Sequence, residues 1–253
     1  MSWTAAGAAV IAQFASVEAA IWLGLVFFLF GLAHGAGDEQ DGDIGPIGLL
    51  HAAAYLIIGG AVAGLFLIVP LCGVALFFGL SAWHFFRSER RFAPYSRVAI
   101  AGLAVGGSAL FRPDETTAVL SFVTGSTIPD LFSRVLAIVG ATGASSGLIA
   151  VVKRSSGSGH AVVALLATAM LQPVLAVGLV FLIAHAIPVQ ERQINAYGAA
   201  RVARAVALPT ALASVGAIVI ALAVTNGLIE PYLAVALAFG MATPHMLTER
   251  LER

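Results

Sequence analysis

Six stretches of the chain are apolar for about the thickness of a bilayer: 17–35, 46–69, 70–87, 132–152, 203–225 and 228–247. A hydrocarbon core takes about 20 apolar residues per helix, within a range of about 17 to 25. In lipid the backbone must satisfy its own polar groups, so such runs fold as helices. The stretch 96–111 is slightly short but apolar enough to join them. Residues 160–188 are ambiguous, because Gln172-Pro173 divides them into two short pieces. Pro173 lacks an N–H and clashes with the preceding turn, so a kink or break is expected there, with Pro173 facing the bundle interior. Composition agrees: 60% of residues are hydrophobic and 10% charged, against roughly 25% charged in soluble domains. The expected fold is all-α, a polytopic membrane helical bundle of about seven to eight transmembrane helices, forming a single integral-membrane domain over 1–253.

Charge sets the orientation. Arg87, Arg90, Arg91 and Arg97 form one basic cluster; Lys153-Arg154, Arg192 with Arg201 and Arg204, and Arg250 with Arg253 form three more. The positive-inside rule makes all four cytoplasmic, which implies a multi-pass protein of the cell (inner) membrane. If 87–97 and 190–204 share a face, residues 160–188 supply either no crossing or two, as a re-entrant hairpin or two short spans broken at Pro173. "RPDETT" at 112–117 reads as an opposite-face loop leading into a short interfacial helix. No Lys or Arg precedes Arg87, so the first apolar run lacks the basic start of a signal peptide and reads as a retained helix. Thirteen basic and thirteen acidic residues cancel, and nothing points to nucleic acid. Cys72 is alone, which excludes an internal disulfide and a cysteine-rich metal site.

The histidines carry the chemistry. His34 closes the first run in "GLAHGAGDE", His84 the third in "SAWHFFRSE", His185 the sixth region in "FLIAHAIPVQE" and His245 the last in "MATPHMLTE". Each is followed four to six residues on by Glu39, Glu89, Glu191 or Glu249. Taken singly, a histidine near a helix end is an interfacial anchor or a carbonyl cap. Four placed alike, on one membrane face by the parity above, point to a metal site. Polar groups at membrane depth are costly and face a functional partner, and neutral imidazole is the commonest metal ligand. All-nitrogen sites suit iron, copper, zinc or nickel. Carboxylates nearby, Asp38, Glu39, Glu191 and Glu249, are placed to accept the second ring N–H and fix its tautomer. His51, mid-way along the second run, reads as a core histidine, and His160 after "SSGSG" as solvated. Trp83, Phe85 and Phe86 beside His84, with Phe27, Phe28 and Phe30 before His34, could line a tunnel for an apolar substrate; their bland reading is helix-packing or lipid-facing bulk.

At these motifs the chain resembles the Brp/Blh family of integral-membrane enzymes associated with rhodopsins, over essentially its full length. The likeness rests on "HGAGD" at 34–38, "SAWHF" at 81–85, the segment from Gln172-Pro173 to His185, Pro244-His245 with Glu249, and "ALFRPDET" at 109–116. The resemblance implies an iron(II)-dependent dioxygenase that cleaves beta-carotene with O2 at its central 15,15′ double bond, giving two molecules of retinal. It implies His34, His84 and His185 as Fe(2+) ligands and His245 as a ligand or a group holding one. Membrane lipid and a functional link to a microbial rhodopsin come with it.

The chain departs from the family at three points. Val189 stands where the family carries a second histidine one turn after its third ligand, and Pro188 precedes it. Glu39 stands where a histidine is usual, and Phe86 where a small residue is. A non-catalytic carotenoid- or retinal-binding homologue therefore stays open as an alternative. A metal or small-solute transporter is the further rival; it predicts polar residues through the membrane depth, where the helix middles here are nearly bare.

Overall fold

The computed structural model describes residues 2–38, 49–88 and 90–248, and every regular element among them is helical. In chain order the helices are α1 Ser2–Ala15, α2 Val17–Asp38, α3 Leu49–Ile68, α4 Pro70–Ser88, α5 Pro94–Phe111, α6 Pro113–Thr124, α7 Asp130–Val152, α8 Ser158–Met170, α9 Pro173–Phe181, α10 Ile187–Tyr197, α11 Ala199–Thr225 and α12 Pro231–Thr248. Five of them begin on a proline (Pro70, Pro94, Pro113, Pro173 and Pro231). The missing N–H costs nothing at that position, and the fixed φ is already helical. These prolines therefore punctuate one apolar run from the next.

The six long runs appear as α2, α3, α4, α7, α11 and α12. "RPDETT" opens a short helix, α6, as expected. The break at Pro173 is also present: α8 ends at Met170, and Pro173, buried, starts α9. Gln172 caps that start, its side chain accepting from the N–H groups of Val174 at 2.8 Å and Leu175 at 3.1 Å.

Three expectations change. Sequence reading passed over α1, whose 14 residues are too few to cross. Ser16 separates it from α2 and accepts from Ala19 N–H at 3.0 Å. Among the described residues five helices, rather than seven to eight, have the length and hydropathy of a crossing: Val17–Ala36, Pro70–Ser88, Asp130–Val152, Pro173–Tyr197 and Ala199–Thr225. Ala52–Ile68, Ser158–Met170 and Pro231–Leu247 are apolar but shorter. Finally, the helix carrying His185 does not end there but runs on to Tyr197, through a polar stretch that hydropathy had assigned to a loop.

The chain forms two compact units. The first comprises 1–31, 81–121 and 127–188. Its core joins α1, α5, α8 and α9 through Ala9, Leu103, Ala164 and Leu175. Helices α5 and α7 approach at Gly106 and Gly140, where a Cβ on Gly140 would collide with the Gly106 backbone. Small residues permit such close backbone contact in membranes. The α2–α9 crossing, at Gly24 and Gly178, is built likewise. The second unit comprises 32–80, 122–126 and 189–253. There α3 lies on α12 at Gly59 and Gly240, beside Phe77 stacked on Phe239 with centroids 3.9 Å apart. The Tyr55 hydroxyl donates to the Met241 carbonyl at 2.5 Å.

Candidate metal centre

Within the first unit, α4 and the α9–α10 helix bring two imidazoles together. His84 Nε2 and His185 Nε2 are 3.1 Å apart, and both residues are 1% exposed. The rings meet edge to face, with centroids 4.8 Å apart. The partners are 101 residues apart in sequence. Two nitrogens each about 2.1 Å from one ion stand about 3.0 Å apart at right angles and about 3.4 Å apart at the tetrahedral angle. The observed separation lies between these, so the pair fits two adjacent ligands of one metal. A single N–H···N hydrogen bond has the same length, with the donor set by the tautomers. Ser88, one turn after His84, donates its hydroxyl to the His84 carbonyl at 2.8 Å and lies 3.5 Å from His84 Nε2.

A widened turn presents His185. Residues Leu182–Ala186 form a π-helical turn, in which Ile187 N–H reaches back to the Leu182 carbonyl. The cause is local. Pro188 has no N–H for the Ala184 carbonyl, and its ring would strike that oxygen in a regular helix; an extra residue in the turn relieves the clash. Arg91 donates to the Pro188 carbonyl at 3.0 Å, holding the helix just beyond the bulge. Val189 follows and is fully buried.

Within the second unit the other two histidines also meet. His34 on α2 is 2% exposed, and His245 on α12 is half-buried. Their rings stand edge to face with centroids 5.4 Å apart. Gly35 of α2 lies against the His245 ring, where a Cβ would make ordinary van der Waals contact at 3.4 Å. Pro244, fully buried, directs the chain immediately before His245.

The remaining expected site residues divide. Phe85 lies against His185, with centroids 4.6 Å apart and planes tilted by 43°. Trp83 carries the Arg87 guanidinium at 5.5 Å, and Phe86 that of Arg97 at 4.1 Å. Glu191 is exposed. Glu39, Glu89 and Glu249 lie outside the described residues, as do the side chains of Asp38 and His51. Sequence reading missed Ser88 and Phe181. Each stands four residues from a site histidine, the spacing that stacks side chains on one helix face, and that spacing was the available signal.

Helices of membrane-crossing length and buried imidazoles, one pair at ligand spacing, make an all-helical protein consistent with a membrane bundle, with a candidate metal centre. The family model for beta-carotene 15,15′-dioxygenase matches residues 25–251. The chain belongs to this family, and the match supports carotenoid dioxygenase-type chemistry at that level. No curated protein and no solved structure matches the chain.

Proposed function

We propose that this protein is an iron(II)-dependent beta-carotene 15,15′-dioxygenase of the inner membrane. The observation that carries the proposal is the buried His84–His185 pair at ligand spacing, in a chain of this family. His34, His84 and His185, all buried, would hold the ion, as the family resemblance implies. His245 completes the set or holds His34 in place. Neutral imidazoles suit iron, which, when bound, supplies the one-electron chemistry that dioxygen requires.

The chain's own residues do the rest. The carboxylates of Asp38, Glu39 and Glu249 would accept a second ring N–H and fix its tautomer, while Ser88 sits beside His84 Nε2. The apolar surroundings exclude water. The polyene enters sideways from the bilayer, in which it dissolves, and its central double bond is set beside the histidines. That bond is cut, one oxygen atom of O2 goes to each half, and two retinal molecules leave. A microbial rhodopsin is the natural consumer of that product.

Val189, a buried valine where the family carries histidine, favours a second reading: a homologue that binds carotenoid or retinal without cleaving it. Coexpression with a beta-carotene pathway separates the two. Loss of orange colour with formation of retinal is expected; unchanged beta-carotene in cells making the protein would sink the enzymatic reading.

A further inference from the structure

The buried histidine pair of the first unit is flanked by an aromatic wall that its metal chemistry does not require. Phe181, one turn before His185, has its ring centroid 6.0 Å from that imidazole. Phe28 of α2 lies 5.3 Å from Phe181, and Phe85 of α4 lies 6.4 Å from Phe181 and 4.6 Å from His185. None of these contacts is perpendicular: the planes tilt by 32°, 33°, 43° and 40° for Phe28–Phe181, Phe85–Phe181, Phe85–His185 and Phe181–His185. The three phenylalanines are half-buried, whereas His84 and His185 are almost wholly enclosed. The rings thus form the layer between the outer surface of the unit and the imidazoles.

Gly31 gives the wall its shape. A Cβ at this position would overlap the Phe181 ring, meeting Cε1, Cζ and Cδ1. The Phe181 ring therefore rests directly on the α2 backbone, and Gly31 permits that rotamer. The first atoms to yield to a larger residue belong to a ring that can turn about χ1 and χ2, not to backbone.

We infer that Phe28, Phe85 and Phe181 form the seat of the polyene, and that Phe181, resting on Gly31, fixes which double bond lies beside His185. This rests on the carotenoid reading above and adds the residues that position the substrate. A conjugated chain is flat, rigid and apolar, and aromatic faces tilted at moderate angles hold such a chain by stacking. The reacting bond is one of many alike along that chain, so its choice depends on how far the chain slides. A ring one turn from a ligand is placed to stop the slide. Phe181 is accordingly a positioning residue, not a catalytic one.

The test uses full-length protein with beta-carotene as the probe, first metal-free and then iron-loaded. The metal-free wild type should bind beta-carotene with a red-shifted absorbance and an induced circular dichroism. Phe181→Ala should weaken binding roughly two- to tenfold, the range of one aromatic contact, and lose most of the induced signal, while Phe181→Tyr keeps it. Gly31→Ala should change the induced signal while iron content stays at the wild-type level. In iron-loaded protein, Phe181→Ala should release off-centre apocarotenals in place of retinal alone. The inference is overturned if metal-free wild type binds no beta-carotene. It is equally overturned if Phe181→Ala matches wild type in affinity, spectrum and any product. Wild type that binds with the induced signal but never cleaves ends the dioxygenase proposal and leaves the seat standing.

Discussion

Replacing His84 by alanine removes one of two nitrogens 3.1 Å apart, on residues 1% exposed. At a free Fe(2+) concentration 100 times the wild-type Kd, binding to the folded state alone stabilises it by about 2.7 kcal/mol. Losing a partner that merely orients a ligand weakens binding by about 10- to 100-fold, so losing a ligand costs at least the upper figure. At the same iron concentration the variant then gains about 0.4 kcal/mol. For a chain of this size 1 kcal/mol moves the thermal midpoint by roughly 2–4 °C. Wild type should therefore rise by roughly 5–11 °C on adding iron, and His84→Ala by roughly 1–2 °C. The assay is thermal unfolding of detergent-purified protein under anaerobic conditions, with bound iron measured by elemental analysis. Each protein is compared with its own metal-free midpoint, so the cavity left by truncation cancels. His160→Ala, whose ring sits against Phe92 away from the histidine pair, should rise as wild type does. A His84→Ala protein that keeps both the iron content and the full rise would show that the pair is a hydrogen bond and not a ligand set.

Two further outcomes follow from the same geometry. Val189→His should raise iron affinity and retinal yield if the site is a weakened version of the family's; an unchanged or lower value in an equilibrium iron titration assigns the remaining coordination position to another residue. Gln172→Ala removes the acceptor for two N–H groups at the start of α9 and should cost about 1–2 kcal/mol. That is a fall of roughly 2–8 °C in the midpoint with iron content unchanged, and an unaltered midpoint would show the cap to be dispensable.

Much of the fold was legible because its signals are local. Apolar runs of bilayer length became α2, α3, α4, α7, α11 and α12, and prolines stand at the start of five of the twelve described helices. The break at Gln172-Pro173 followed from a missing donor. What failed was local in another way. The α1 helix is too short for a crossing pattern, and a serine cap, not a proline, separates it from α2. Hydropathy falls away after Pro188, which suggested that His185 closes its helix. Helix continuity depends on backbone hydrogen bonds, and the polar residues to Tyr197 make them as well as apolar ones do. The site was legible only in outline. Four histidines sharing one placement drew attention to the residues that meet as His84–His185 and His34–His245, but said nothing of Ser88 or Phe181.

From the order of residues alone came apolar helices, the break at Gln172-Pro173, the histidines as candidate ligands and, through short motifs, the family. Tertiary structure alone decided that Nε2 of His84 faces Nε2 of His185 across 101 residues of intervening chain, that Pro188 opens the turn carrying one of them, and that Phe181 rests on Gly31 beside the pair. The reason is one of range. Hydropathy and helix starts are set within a few turns, whereas the rotation of one helix against another depends on where small residues let backbones touch, and both surfaces must be present for that to be settled.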